Sequence, residues 1–502
     1  MSVLLLLVSA LVLIYLGIGG STAAAVMSIA TVVGLFQDEW HLISILCGGV
    51  LLALALILVI PGDLRLDKLS RPLLGWVRSR LPKLSDTEAE ALKSGSVDWD
   101  GELFSGKPKW NKLLDAKPAH LTSEEQAFLD GPVEKLCAML DDWKITHEQY
   151  DLPDKVWKFI RENGFFGLVI PKEDGGLGFS NTAHSEIVMK ISTRSVSAAV
   201  TVMVPNSLGP GELLMHYGTD AQKQHYLPRL AGGDEIPCFA LTSPVAGSDA
   251  GAIPDKGVIC KQTVDGEEVL GMRLNFAKRW ITLAPIATVV GLAFKLYDPD
   301  HLLGDQDELG ITCALLPADT EGVEIGRRHN PGGSPFMNGP INGKDVFVPL
   351  DAIIGGPEMA GKGWRMLIEC LGAGRGVSLP ALATASGEMG YRMTGAFSRI
   401  RRQFGTAVGH FEGVQEASAE VAGLAYTLEA YRPLVTRGLE EGTIPVVTAM
   451  AKYHSTEMKR VLINNGKDIA SGRAVQVGPR HFMALACQSL PVEITWLIPT
   501  CD

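Results

Sequence analysis

Two short runs hold the residue types that could do chemistry. Leu241-Thr-Ser-Pro-Val-Ala-Gly-Ser-Asp249 places a hydroxyl before a Pro and a Gly that force a turn, then Ser248 and Asp249, which can bond an open backbone. Such a loop suits a ligand with phosphate or carbonyl oxygens. Further along, Lys278-Arg-Trp-Ile-Thr282 ends a polar approach with an indole beside a β-branched hydroxyl residue. That pairing offers a flat ring both a stacking face and a hydrogen-bond partner. Together the runs fit a planar, polyoxygenated cofactor. An ordinary turn followed by a buried Trp is the plainer alternative.

The elements that must position them follow from periodicity. From Cys238 to Val348 short β-type runs alternate with Gly, Asp and Asn, as in Gly257-Val-Ile-Cys-Lys261, and predict a β domain over 238–350. Ahead of it, Val133, Leu136, Leu140 and Trp143 share one helical face, and Leu152-Pro153 opens a helix that ends near Asn163-Gly164. Ser185 to Val204 reads as one buried helical stretch, so 131–237 is predicted to be a helical domain. Within it, Lys172-Glu-Asp-Gly-Gly-Leu-Gly178 has no following Lys-Ser/Thr and completes no G-x-G-x-x-G, so it reads as a tight turn between helices rather than a phosphate loop. From Trp364 to Ser489 helix follows helix, which predicts a bundle over 351–502. Gly372-Ala-Gly-Arg-Gly376 lies there without a preceding strand, so it is not read as a dinucleotide fingerprint.

The first 62 residues differ in kind. Val3 to Gly17, Ala23 to Phe36 and Leu42 to Ile60 are apolar runs, and Asp38 and Glu39 are the only formal charges before Asp63. We read two or three transmembrane helices over 1–62; a hydrophobic hairpin packed on the rest of the chain is the alternative. The basic cluster Arg65, Lys68, Arg71, Arg78, Arg80 and Lys83 opens a linker over 63–130 and places the remainder on the cytoplasmic face. A formal net charge of −11 argues against a nucleic-acid-binding surface. The 8 cysteines show no close pair, so neither a zinc site nor a disulfide framework is indicated and a reducing compartment is the natural setting.

Both runs resemble the flavin-contacting strands of the acyl-CoA dehydrogenase family, long membrane-associated bacterial type. The segment Gly164 to Gly178, the run Tyr217-Gly-Thr-Asp-Ala-Gln-Lys-Gln-His-Tyr-Leu-Pro-Arg-Leu230 and Arg401-Arg-Gln-Phe-Gly405 resemble further family landmarks, and the likeness covers about residues 130 to 495. It implies an α+β multidomain fold: N-terminal membrane helices, a helical domain, a central β-barrel or sandwich domain, and an incomplete C-terminal four-helix bundle. It implies FAD as cofactor, held by Phe239, Thr242, Gly247, Ser248, Trp280 and Thr282, with Arg401, Gln403 and Phe404 supplied by a partner subunit of a homo-oligomer. Ser248 and Arg375 are the implied substrate contacts, Arg375 at the closed end of the acyl-CoA cavity. Acyl-CoA, an electron-transfer flavoprotein and the bacterial inner membrane are the implied partners.

Desaturating an acyl thioester needs a carboxylate to take the α proton, hydrogen bonds to the thioester oxygen and a hydride acceptor. In the members this chain resembles, the base is a Glu shortly after a Pro-x-x-Ile-Thr segment. Here Pro491-Val-Glu-Ile-Thr495 is followed by Trp496 and six more residues, and the base position falls on Leu497. Glu493, expected on a strand or turn, would project elsewhere. Ser471-Gly-Arg-Ala474 replaces two of three glycines of a flavin contact, which restricts close backbone approach. The expected activity is α,β-dehydrogenation of medium- or long-chain acyl-CoA, the first step of fatty-acid β-oxidation, with weak flavin binding and poor or no turnover by this chain. Two rivals remain: a catalytically dead, membrane-anchored acyl-CoA and flavin binder, and an acyl-CoA oxidase.

Overall fold

The structure, a computed structural model, describes residues 66–82, 89, 99–442 and 446–495. The apolar runs expected to cross a membrane, and Leu497, lie outside these residues. The chain divides into two units, Met1–Ser85 and Asp86–Asp502. In the first, an eight-residue helix, Arg71–Arg78, carries a Pro in its first turn and buries none of its residues.

The second unit begins with short helical turns. Thr122 caps helix Ser123–Phe128 through a capping box with Glu125. Phe128, inside the stretch read as linker, packs its ring on Phe165 at 5.0 Å and on Phe179 at 5.3 Å. Five longer helices follow: α1 (Asp154–Glu162), α2 (Asn181–Ser192), α3 (Val196–Ser207), α4 (Pro210–Tyr217) and α5 (Asp220–Gly232). The stretch read as one buried helix is two, because Ser195 leaves helical dihedrals to accept a hydrogen bond from Ala198 N and start α3. Lys172 to Gly178 is a tight turn, as expected: a Cβ on Gly176 would lie 2.1 Å from Ile170 O. The Thr219 landmark also has a physical reason. Thr219 and Gln222 form a capping box for α5, and Gln222 Nε2 donates to Asp351 O and Ile353 O at 2.8 and 2.7 Å, which docks the helix on the end of the sheet.

The central domain is one seven-stranded sheet: β1 (Pro237–Ala240), β2 (Lys256–Val264), β3 (Glu267–Thr282), β4 (Val289–Tyr297), β5 (Glu308–Pro317), β6 (Val323–Ile325) and β7 (Asn338–Pro349). β4 pairs with β5 along one side and with β1 and then β2, both parallel to it, along the other; β2, β3, β7 and β6 continue as antiparallel neighbours. The expected barrel or sandwich is therefore corrected to a curled, open half-barrel. Closure fails because β6 is only three residues long, after which the chain leaves the sheet through 326–337.

The last domain is helical: α6 (Gly372–Ile400), α7 (Glu412–Glu440), α8 (Val446–Ala470) and α9 (Phe482–Thr495), with a two-stranded hairpin, β8 (Arg402–Gln403) and β9 (Thr406–Ala407), after α6. A Cβ on Gly374 would sit 1.7 Å from Ser207 O, and one on Gly376 2.6 Å from Thr448 Cβ. The glycine run in α6 thus serves close packing on α3 and α8. Among the described residues only Gly363–Ile400 is long and apolar enough to cross a membrane, and 78% of its apolar window is buried inside the protein. It is a core helix.

Candidate active site

The two chemistry-bearing runs are tied together before any ligand is considered. The first is a tight turn, with Ser243 N donating to Ala246 O at 3.0 Å. The second lies at the end of β3. Lys278 is fully buried and donates to Leu241 O at 2.8 Å, while its ammonium pairs with buried Asp255. Asp255 Oδ1 accepts from Ala277 N at 2.9 Å. Burial pulls the Lys278 pKa down, opposed by the Asp255 carboxylate. Arg279 N donates to Thr242 O at 3.1 Å, and its guanidinium reaches Pro244 O at 2.8 Å while lying 4.1 Å from the Trp280 ring.

Beyond Lys278 the β3–β7 register shifts before Ile281, a bulge that turns the next residue. Trp280 takes φ 60 there and holds its indole 57% exposed. A bulky residue in left-handed backbone is strained, and here a side chain 58 residues away holds it. Asn338, at the start of β7, donates from Nδ2 to Trp280 O at 2.9 Å and lies 3.4 Å from Thr282 Oγ1, while its Oδ1 faces His329 Nδ1 at 2.9 Å.

These groups open on one cleft of about 1060 Å³. Phe239, Thr242, Gly247, Ser248, Trp280 and Thr282 all line it. A Cβ on Gly247 would meet no protein atom, so this glycine leaves room on the cleft side rather than for packing. One wall is apolar, with Val204 and Leu208 at the end of α3, Phe336, and Val492 of α9. The rim is the loop after β6, where Arg327, Arg328 and His329 stand together; Arg328 anchors it by donating to Pro335 O at 2.8 Å and to Tyr150 O. Asn338, His329 and the two arginines were not singled out from the sequence. Asn338 reaches Trp280 from 58 residues away and Arg328 reaches Tyr150 from 178, and no local pattern marks them.

Arg375, Arg401, Gln403 and Phe404 do not line this cleft. Arg375 sits in α6 where burial lowers its pKa, and burial, then the Arg375 charge, depresses the Lys452 ammonium too. Arg401 follows α6, and Gln403 and Phe404 belong to the exposed hairpin, with Phe404 95% exposed at φ 50. Ser471 to Val475 is a short 3-10 turn after α8, entered through Ser471 at φ 55. Glu493 lies on helix α9, not on a strand or turn. Pro491 is tolerated inside that helix, and Glu493 turns onto α8 to pair with Lys459, both side chains about 1% exposed. Its carboxylate has the ion pair but no well-formed hydrogen bond. Val492 and Thr495 share a different face, the one toward the cleft. No carboxylate is found among the described residues lining the cleft.

A helical domain, a curled sheet and a helical bundle around one half-apolar cleft, with an indole and two threonine hydroxyls on its sheet side, define a three-domain α+β protein with a cleft between its domains. The chain belongs to the acyl-CoA dehydrogenase family: its N-terminal domain matches residues 122–234, its middle domain 238–346 and its C-terminal domain 361–487. "Probable acyl-CoA dehydrogenase FadE10" of Mycobacterium tuberculosis is 30% identical over 423 residues, 82% of this chain and 62% of that protein. "Protein HemX" of Proteus mirabilis is 62% identical over 104 residues, 21% of this chain and 61% of that protein, a stretch too short to bear on the family. The chain spans about three fifths of the length of these two relatives. Among solved structures, the acyl-CoA dehydrogenase from Geobacillus kaustophilus matches with a TM-score of 0.67 and 23% identity over 76% of this chain and 96% of its own, which shows the fold.

Proposed function

We propose that this cleft is the FAD and acyl-CoA site of an α,β-dehydrogenation that yields trans-2-enoyl-CoA from medium- and long-chain thioesters, at the cytoplasmic face of a bacterial inner membrane. The observation that carries the reading is the interlock of the two runs, which turns Thr242, Ser248, Trp280 and Thr282 toward one cavity. The residues fit the cofactor. Thr242 and Thr282 would bond the edge of the isoalloxazine, the exposed Trp280 face would pack on it, and Ser248 with the Arg327–His329 rim would meet phosphate oxygens. When bound, FAD supplies the hydride acceptor. The wall of Val204, Leu208, Phe336 and Val492 would take the acyl chain and exclude water from the reacting carbons. Electrons would leave to an electron-transfer flavoprotein. The exposed hairpin with Arg401, Gln403 and Phe404 would reach the cofactor of a second copy.

One observation favours a second reading, an acyl-CoA and flavin binder with little turnover: the described lining offers no carboxylate for the α proton, and Glu493 is committed to Lys459. The test of the site is FAD titration of the full chain by quenching of flavin fluorescence. Trp280→Ala and Thr282→Val should each weaken binding about tenfold, near 1.4 kcal/mol. FAD affinity unchanged in both variants would overturn the assignment.

A further inference from the structure

The helix Arg71–Arg78 is sided, and among the described residues it buries none of its own. Leu73, Leu74, Trp76 and Val77, with Leu81 just beyond, are all exposed, Leu73 at 61% and Trp76 at 56%. On the helical repeat these five fall within an arc of roughly 160°, while Arg71, Gly75, Arg78 and Ser79 occupy the opposite side. Between Leu66 and Pro82 there are four basic residues (Lys68, Arg71, Arg78, Arg80) and one acid (Asp67), a local excess of 4 − 1 = 3 positive charges in a chain whose net charge is −11. Arg71 pairs with Asp67, and Arg80, the one cation at the apolar arc, folds its guanidinium over the Trp76 ring at 5.0 Å. An arginine so placed can bury its stem and keep its head at a polar boundary.

We infer that residues 66–82 form an interfacial helix that lies in the plane of an anionic lipid surface, with Leu73, Leu74, Trp76, Val77 and Leu81 among the acyl chains and Arg71 and Arg78 at the headgroups. Two observations select lipid over a protein partner. The flanks of the apolar arc are basic, the complement of an anionic leaflet. The apolar run Leu42 to Ile60 ends a few residues before it, so the sequence delivers the helix to the membrane boundary. The inference rests on the membrane placement proposed above and adds what that placement does not require: a second, charge-dependent contact.

The experiment uses the full chain with vesicles of phosphatidylcholine alone or mixed with phosphatidylglycerol, some carrying lipids with a nitroxide near the top of the acyl chain. Trp76 is read as the difference in emission between the native chain and Trp76→Phe. Expected is quenching of at least about twofold in the Trp76 difference signal on anionic vesicles, as for a shallowly buried interfacial indole. Arg71→Gln/Arg78→Gln/Arg80→Gln should lose that quenching at about 0.15 M salt, where the Debye length is short. Leu73→Ser/Leu74→Ser, which touches no core residue, should lose it at any salt. Flotation of the chain with vesicles but no quenching of Trp76 in either composition overturns the inference and leaves the membrane placement standing. Equal quenching on neutral and anionic vesicles overturns the charge-dependent contact. A chain that does not float with vesicles refutes both readings together.

Discussion

Replacing Lys278 by Met tests the interlock that holds the site. The change keeps the aliphatic stem and removes the ammonium, so Leu241 O loses its donor and the Asp255 carboxylate, with a side chain 1% exposed, is left buried without its countercharge. Breaking a buried pair from one side costs about 3–5 kcal/mol. Adding Asp255→Asn, which still accepts from Ala277 N, should recover most of it, with a coupling of at least about 1 kcal/mol. The assay is equilibrium urea unfolding of the full chain followed by tryptophan emission. FAD affinity should fall in parallel, because Leu241 O precedes Thr242. A single variant with native unfolding midpoint at neutral pH, or deficits that add without coupling, would refute the reasoning.

Asn338→Ala should cost roughly 1–3 kcal/mol by leaving Trp280 O without its donor, and should weaken FAD binding; urea unfolding and flavin titration read the two effects. Gly374→Ala should destabilise by at least about 1–3 kcal/mol, because the added carbon meets Ser207 O at 1.7 Å; a native melting curve would sink the packing account of that glycine run. Half-buried Asp142 and fully buried His184 set opposing pH trends. Burial pushes Asp142 up to about 6, so its contribution is lost as pH rises, whereas burial holds His184 down at about 4, so its contribution is lost as pH falls from about 6.5. Asp142→Asn should thus gain roughly 1–3 kcal/mol at neutral pH and show a steeper acid loss between those limits, measured as denaturation midpoints across pH.

What could be read in the chain was what neighbouring residues announce. The Pro-Gly turn after Thr242, the indole beside Thr282 and the alternation of β3 are local, and the structure brings Phe239, Thr242, Gly247, Ser248, Trp280 and Thr282 to one cleft. Periodicity likewise separated the helical domains from the sheet. It could not say that β6 stops after three residues and leaves the half-barrel open, because strand closure depends on partners far along the chain. Nor could it find Asn338 or Asp255, whose ties to Trp280 and Lys278 span 58 and 23 residues. Glu493 shows the same limit from the other side. It was expected on a strand or turn, yet the helix accommodates Pro491 and Lys459 claims the carboxylate. The glycines of 372–376 were not read as a dinucleotide fingerprint, and their packing reason came only from distant neighbours, Ser207 and Thr448.

The most direct test is an anaerobic titration of the FAD-loaded chain with a long-chain acyl-CoA, following the flavin absorbance. The account predicts saturable bleaching of the oxidised flavin bands as the thioester enters the cleft beside the cofactor. An unchanged spectrum would contradict the shared flavin and acyl-CoA site, and a saturable band shift without bleaching would contradict dehydrogenation and leave the binder with little turnover.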